Sequence, residues 1–122
     1  MTEIEQFEHI NSLLCCYGDM LTPLQKEVLT CYYSYNLSLS EIASERKVSR
    51  AAVDDALKKG INKLEEFEEK LKINEKSENI LKITAKIKQK SDNEEINKEI
   101  EEIERILTDG IWIINRQIIT SI

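Results

Sequence analysis

A chain of 122 residues with 41% hydrophobic and 33% charged residues can bury one core behind a solvated surface, as one domain or a small domain with an extension. Three Gly, one Pro and a bulk of Glu, Lys, Leu and Ile exclude a sheet-rich fold, and a net charge of −6 sets the chain apart from strongly basic nucleic-acid binders. Three cysteines with no CxxC spacing, no N-terminal apolar signal and no apolar run of the ~18–20 residues that cross a bilayer exclude a secreted disulfide scaffold or a spanning helix. The expectation is a cytoplasmic, all-α protein.

In chain order, Ile4, Phe7, Ile10, Leu14 and Tyr17 recur at three- and four-residue spacing and predict an amphipathic helix over 3–19, ended by Gly18 and Asp19. Thr22, Pro23 and Gln25 predict the next start, with Thr22 as cap, Pro23 at the first helical position and Gln25 reaching back. That helix should run to about Ser34, with Leu24, Val28, Leu29, Tyr32 and Cys31 as candidates for its core side and a turn at Tyr35-Asn36. Ser38 and Glu41 form a second capping box for a short helix that buries Ile42 and Ala43 and ends near Arg46-Lys47. Ser49 caps a third start whose stripe is Val53, Leu57, Ile61 and Leu64. A short helix, a three-residue turn and a longer helix make a helix-turn-helix.

Beyond it, Leu64, Phe67, Leu71, Ile80, Ile83 and Ile87 continue as one bent helix or two, with Gly60 and Asn74 as the weak points. Ser91 to Glu94 supply a break and a cap for a last helix striped by Ile96, Ile100, Ile103 and Leu107. The organisation expected is therefore a helix-turn-helix domain over 1–64, a long amphipathic extension over 65–108 and an atypical apolar tail over 109–122. The tail reads as an appended extension, too short to span a membrane and carrying Arg116.

Charge is uneven along the chain: residues 22–64 hold seven Lys/Arg against five Asp/Glu, while the flanking segments are each net acidic. In a helix-turn-helix the second helix enters the major groove and its leading residues reach base edges. The outward positions here are Arg50, Ala51, Asp54, Asp55, Lys58 and Lys59, and the candidate nucleic-acid-binding set is Lys47, Ser49, Arg50, Ala51, Lys58 and Lys59. Arg50 suits guanine or phosphate, the lysines suit phosphate, and Ser49 both caps and offers a hydroxyl. Asp54 and Asp55 oppose this reading by repelling phosphate, and the alternative is a helix-turn-helix that serves only as a packing scaffold.

The run Glu65-Glu66-Phe67-Glu68-Glu69 spreads its acids around a helix, where Lys63, Lys70 and Lys72 can pair with them, so it reads as a solvated face. His9 is the single histidine, the cysteines read as reduced thiols, and no phosphate-cradling glycine loop occurs, so no catalytic residue, no metal and no cofactor is expected. The apolar stripe over 64–107 needs a cover: it folds back on the N-terminal helices, forms a homodimer, or grips a protein partner.

The blocks Leu37-Ser38-Leu39-Ser40-Glu41-Ile42-Ala43 and Val48-Ser49-Arg50-Ala51-Ala52-Val53, preceded by Leu21-Thr22-Pro23-Leu24-Gln25 and Tyr32-Tyr33, resemble the YlxM family of small bacterial helix-turn-helix proteins. The wider similarity is to region 4 of sigma factors, and it covers about residues 1–107. The resemblance implies an all-helical fold in the bacterial cytoplasm and a regulatory role linked to the signal recognition particle pathway, from genes lying beside those of the particle's GTPase and its receptor. By position, Ser49 matches the cap, Arg50 a contact and Val53 the core anchor of the family motif. Ala51 stands where the family often has a longer polar side chain, and the tail after Leu107 has no counterpart there.

Overall fold

The computed structural model describes residues 2–108, so the apolar tail expected over 109–122 lies outside the described residues. The order is α1 (Glu3–Tyr17), a 3-10 turn (Gly18–Met20), α2 (Pro23–Leu29), a π-helical turn (Thr30–Ser34), α3 (Leu39–Arg46), α4 (Arg50–Leu71), α5 (Ile73–Lys90) and α6 (Glu94–Thr108). Every element among the described residues is helical, and the chain divides into two compact units between Leu71 and Lys72.

In the first unit α4 is the axis against which α1, α2 and α3 pack. Leu13 and Tyr17 of α1, Val28 and Leu29 of α2, Ile42 of α3, and Val53 and Leu64 of α4 are completely or almost completely withdrawn from water. Each such aliphatic side chain stabilises the fold by about 1.5–3 kcal/mol relative to its exposed state. Ile4, expected on the core stripe of α1, is instead 72% exposed, because the core begins nearly two turns later at Ile10.

The starts follow the local chemistry. Thr22 accepts from the Gln25 N–H at 3.2 Å while Gln25 Oε1 accepts from the Thr22 N–H at 3.1 Å. Ser38 and Glu41 do the same at 3.1 and 3.2 Å, and Thr2 with Glu5 adds a third such box on α1. These boxes satisfy amide groups that a helix leaves open at its first turn.

Two helices depart from the simple pattern. The α-helical hydrogen bonding of α2 stops at Leu29, and the chain widens into a π turn closed by Tyr35 N–H to the Thr30 carbonyl at 3.2 Å. Asn11 of α1 holds that turn, donating to the Tyr33 carbonyl and accepting from Ser34 Oγ, both at 2.9 Å. Gly60, expected to weaken the next helix, lies inside an unbroken α4. It allows close approach to α2, since a Cβ there would sit 2.7 Å from Leu29 Cδ1. The break falls instead at Lys72, two residues before Asn74, where the backbone is left-handed with φ 54°.

The second unit contains the hairpin of α5 and α6. Asn93 caps α6 by accepting from the N–H groups of Glu95 and Ile96 at 2.9 and 3.3 Å. Its two helices are joined by polar groups: Thr84 Oγ1 donates to Glu104 at 2.8 Å and Lys88 Nζ reaches the same carboxylate at 3.1 Å. Ile100 is the buried isoleucine of α6.

Candidate nucleic-acid interface

The helix-turn-helix consists of α3, the turn Lys47-Val48-Ser49 and the first turns of α4. Lys47 closes α3 in the left-handed region with φ 58°, and the Val48 N–H bonds the Ala43 carbonyl at 3.1 Å. The chain therefore turns sharply before Ser49, whose Oγ accepts from the Ala52 N–H at 3.0 Å and starts α4. Val53 and Leu57 fix the inner face of α4 against the core, which decides which residues face out.

Lys47, Ser49, Arg50, Ala51, Lys58 and Lys59 are all exposed. They fall into two electrostatic groups. Lys58 pairs with Asp54 at 2.9 Å and Lys59 with Asp55 at 3.1 Å, each one helical turn apart. The carboxylates that opposed phosphate binding in the sequence are thus spent on the neighbouring lysines, and this stretch is locally near neutral. Lys47 and Arg50 take part in no ion pair among the described residues. They stand at the turn and at the positive N-terminal end of α4, where helix dipole and side-chain charge have the same sign.

Arg46, directly before this turn, is held to Glu27 of α2 at 3.3 Å. Its guanidinium is pushed above the ordinary arginine value by a hydrogen bond with Cys31 and then by Glu27. A shallow groove of about 560 Å³ along the outer side of α3 is lined by Leu37, Ser40, Glu41, Ser44 and Glu45. Two carboxylates and no cation line it, so its chemistry does not suit a phosphate.

The acidic run of α4 has a role that sequence reasoning missed. Glu65 Oε1 lies 3.0 Å from His9 Nε2, and Tyr17 Oη donates to Glu68 at 2.6 Å, so the run ties α4 to α1 rather than only facing water. The expected pairing with Lys63, Lys70 and Lys72 is not what holds these two acids; Lys72 reaches Glu75 instead. Nothing in the spacing of His9 and Tyr17 signals partners more than 50 residues away. Among the described residues no group of three metal-ligating side chains comes together. The Cys15 thiol is pushed up to about 11, mainly by burial and then by Cys16, so at neutral pH it is the protonated thiol. Among those residues, no helix is long and apolar enough to cross a membrane.

Residues 4–104 match the UPF0122 family, described as helix-turn-helix proteins, YlxM / p13 like. A UPF0122 protein of Fusobacterium nucleatum is 37% identical over 100 residues, covering 82% of this chain and 97% of that relative. One of Bacillus cereus is 39% identical over 101 residues, covering 82% and 92%. One of Pediococcus pentosaceus is 51% identical over 69 residues, covering 57% of this chain and only 61% of the relative. No solved structure matches the chain.

Proposed function

The chain belongs to the UPF0122 family of helix-turn-helix proteins, and we propose that it is a regulatory accessory protein of the signal recognition particle pathway that binds nucleic acid through the leading turn of α4. The observation that carries the nucleic-acid reading is the pair of exposed cations, Lys47 and Arg50, at a helix N-terminus with no internal ion pair among the described residues. Arg50 presents a planar donor fork to guanine or phosphate, and Lys47 a point charge to phosphate. Ser49, Ala51, Lys58 and Lys59 line the rest of the surface. The pathway assignment rests on the YlxM resemblance, and the particle's own RNA is the ligand it brings forward. The reading is of a cytoplasmic binding protein rather than an enzyme.

Fluorescence anisotropy with the particle's RNA, an unrelated RNA of equal length and duplex DNA tests this at two salt concentrations. Binding should weaken with salt, and Arg50→Ala should weaken it further by about 1–3 kcal/mol where the arginine reads a base. Absence of binding to all three ligands at low salt overturns the proposal.

A second reading is favoured by the ion pairs of Asp54 and Asp55, which neutralise much of the helix face. On that reading the helix-turn-helix is scaffold and a protein partner is bound elsewhere. Capture of the particle's GTPase by the intact chain, undiminished in Arg50→Ala, would support it.

A further inference from the structure

We propose that the open face of the α5–α6 hairpin binds a second copy of this chain, so that two hairpins form a four-helix bundle. The seam between α5 and α6 buries Ile100 beside the polar contacts of Thr84, Lys88 and Glu104. The other isoleucines of the two stripes lie to one side of it. Ile80, Ile83 and Ile87 follow helical spacing on α5, and Ile96 and Ile103 do so on α6, yet Ile83 is 56% exposed and Ile103 42%. Two helices bury a single seam between them, so a hairpin whose apolar stripes lie off that seam needs another layer.

Charge identifies the occupant. Helix α5 carries five lysines against two glutamates, whereas α6 carries six glutamates against one lysine and one arginine. At helical spacing, Lys86 and Lys90 flank the α5 stripe on the side away from Thr84. Glu95, Glu99 and Glu102 flank the α6 stripe on the side away from Glu104. All five are exposed, and none forms an ion pair among the described residues. A two-fold axis through the open face sets α5 against the α6 of the other copy, and each basic flank then meets an acidic one. A partner of one charge would satisfy only one of the two helices; a second copy satisfies both. Flanking charges of this kind set partner choice in helical bundles, and the apolar stripe supplies the affinity.

Sedimentation equilibrium of the full chain should give twice the 14.2 kDa chain mass at micromolar concentration. Ile83→Lys should raise the dissociation constant by about 100-fold, with helix content by circular dichroism unchanged. Two charge-swapped chains separate this face from any other. A chain with Lys86→Glu and Lys90→Glu, and another with Glu95→Lys and Glu99→Lys, should each be monomeric alone and dimerise when mixed. A wild-type chain that stays monomeric at every concentration overturns the proposal and leaves the face to residues 109–122 or to a different protein. A dimer indifferent to Ile83→Lys, or two swapped chains that do not pair, overturns it equally. None of these results depends on nucleic-acid binding.

Discussion

Gly60 shows how a single residue can be read correctly as a type and wrongly as a role. A helix-interior glycine costs about 1 kcal/mol of helix propensity, which is why the sequence marks a weak point there. In the fold the missing Cβ lets α4 approach Leu29, which is fully buried. Gly60→Ala gains the propensity term and loses about 1–3 kcal/mol to overpacking, so chemical denaturation should show a net loss of about 1 kcal/mol. In a Leu29→Ala background the same change should stabilise, because the obstructing methyl is gone. A wild-type chain made more stable by Gly60→Ala would refute the close approach of α2 and α4. The residue types that reveal caps behave differently, since Thr22, Ser38 and Ser49 act within three residues of themselves and are legible without any fold.

At the scale of the element, one serine at the start of α4 caps the helix and, in the proposed interface, also stands among the contacts. Ser49 caps the helix through its hydroxyl and stands beside Arg50 on the exposed turn. Two substitutions separate the roles. Ser49→Ala removes the cap and should lower stability by about 1 kcal/mol, seen as a shift of the unfolding midpoint. Ser49→Asp keeps a good cap and adds a negative charge where phosphate would lie. It should leave stability near wild type while weakening nucleic-acid binding, and unaltered binding would remove Ser49 from the interface. The π turn after α2 was not legible, because its cause lies in α1: Asn11 supplies the side-chain bonds that stabilise the widened winding.

For the molecule as a whole, charge decides how strong any nucleic-acid contact can be. The chain is net −6, and ion pairs with Asp54 and Asp55 occupy two of the cations on the candidate face. With Lys47 and Arg50 as the two phosphate contacts, the slope of log affinity against log salt should be about −1.8. Raising salt from about 50 to 200 mM should then weaken binding only about 10-fold, against the 10³–10⁵-fold typical of proteins making 6–10 phosphate contacts. A much steeper slope, measured in the same anisotropy titration, would mean that Lys58 and Lys59 leave their aspartates and join the interface. Division of the chain between Leu71 and Lys72 was not readable either. A left-handed lysine carries no mark in the sequence, unlike a glycine or a proline.

Sequence alone determined the helical class, the caps and the helix-turn-helix with its three-residue turn. All of these follow from interactions between residues a few positions apart, or from the period of an apolar stripe. Tertiary structure decided the tie of α1 to the acidic run of α4 through His9 and Tyr17, the true role of Gly60, and the seam around Ile100, Thr84 and Glu104 that leaves the other isoleucines of α5 and α6 uncovered. Those depend on which faces meet, and periodicity states that a face is apolar without stating what lies against it.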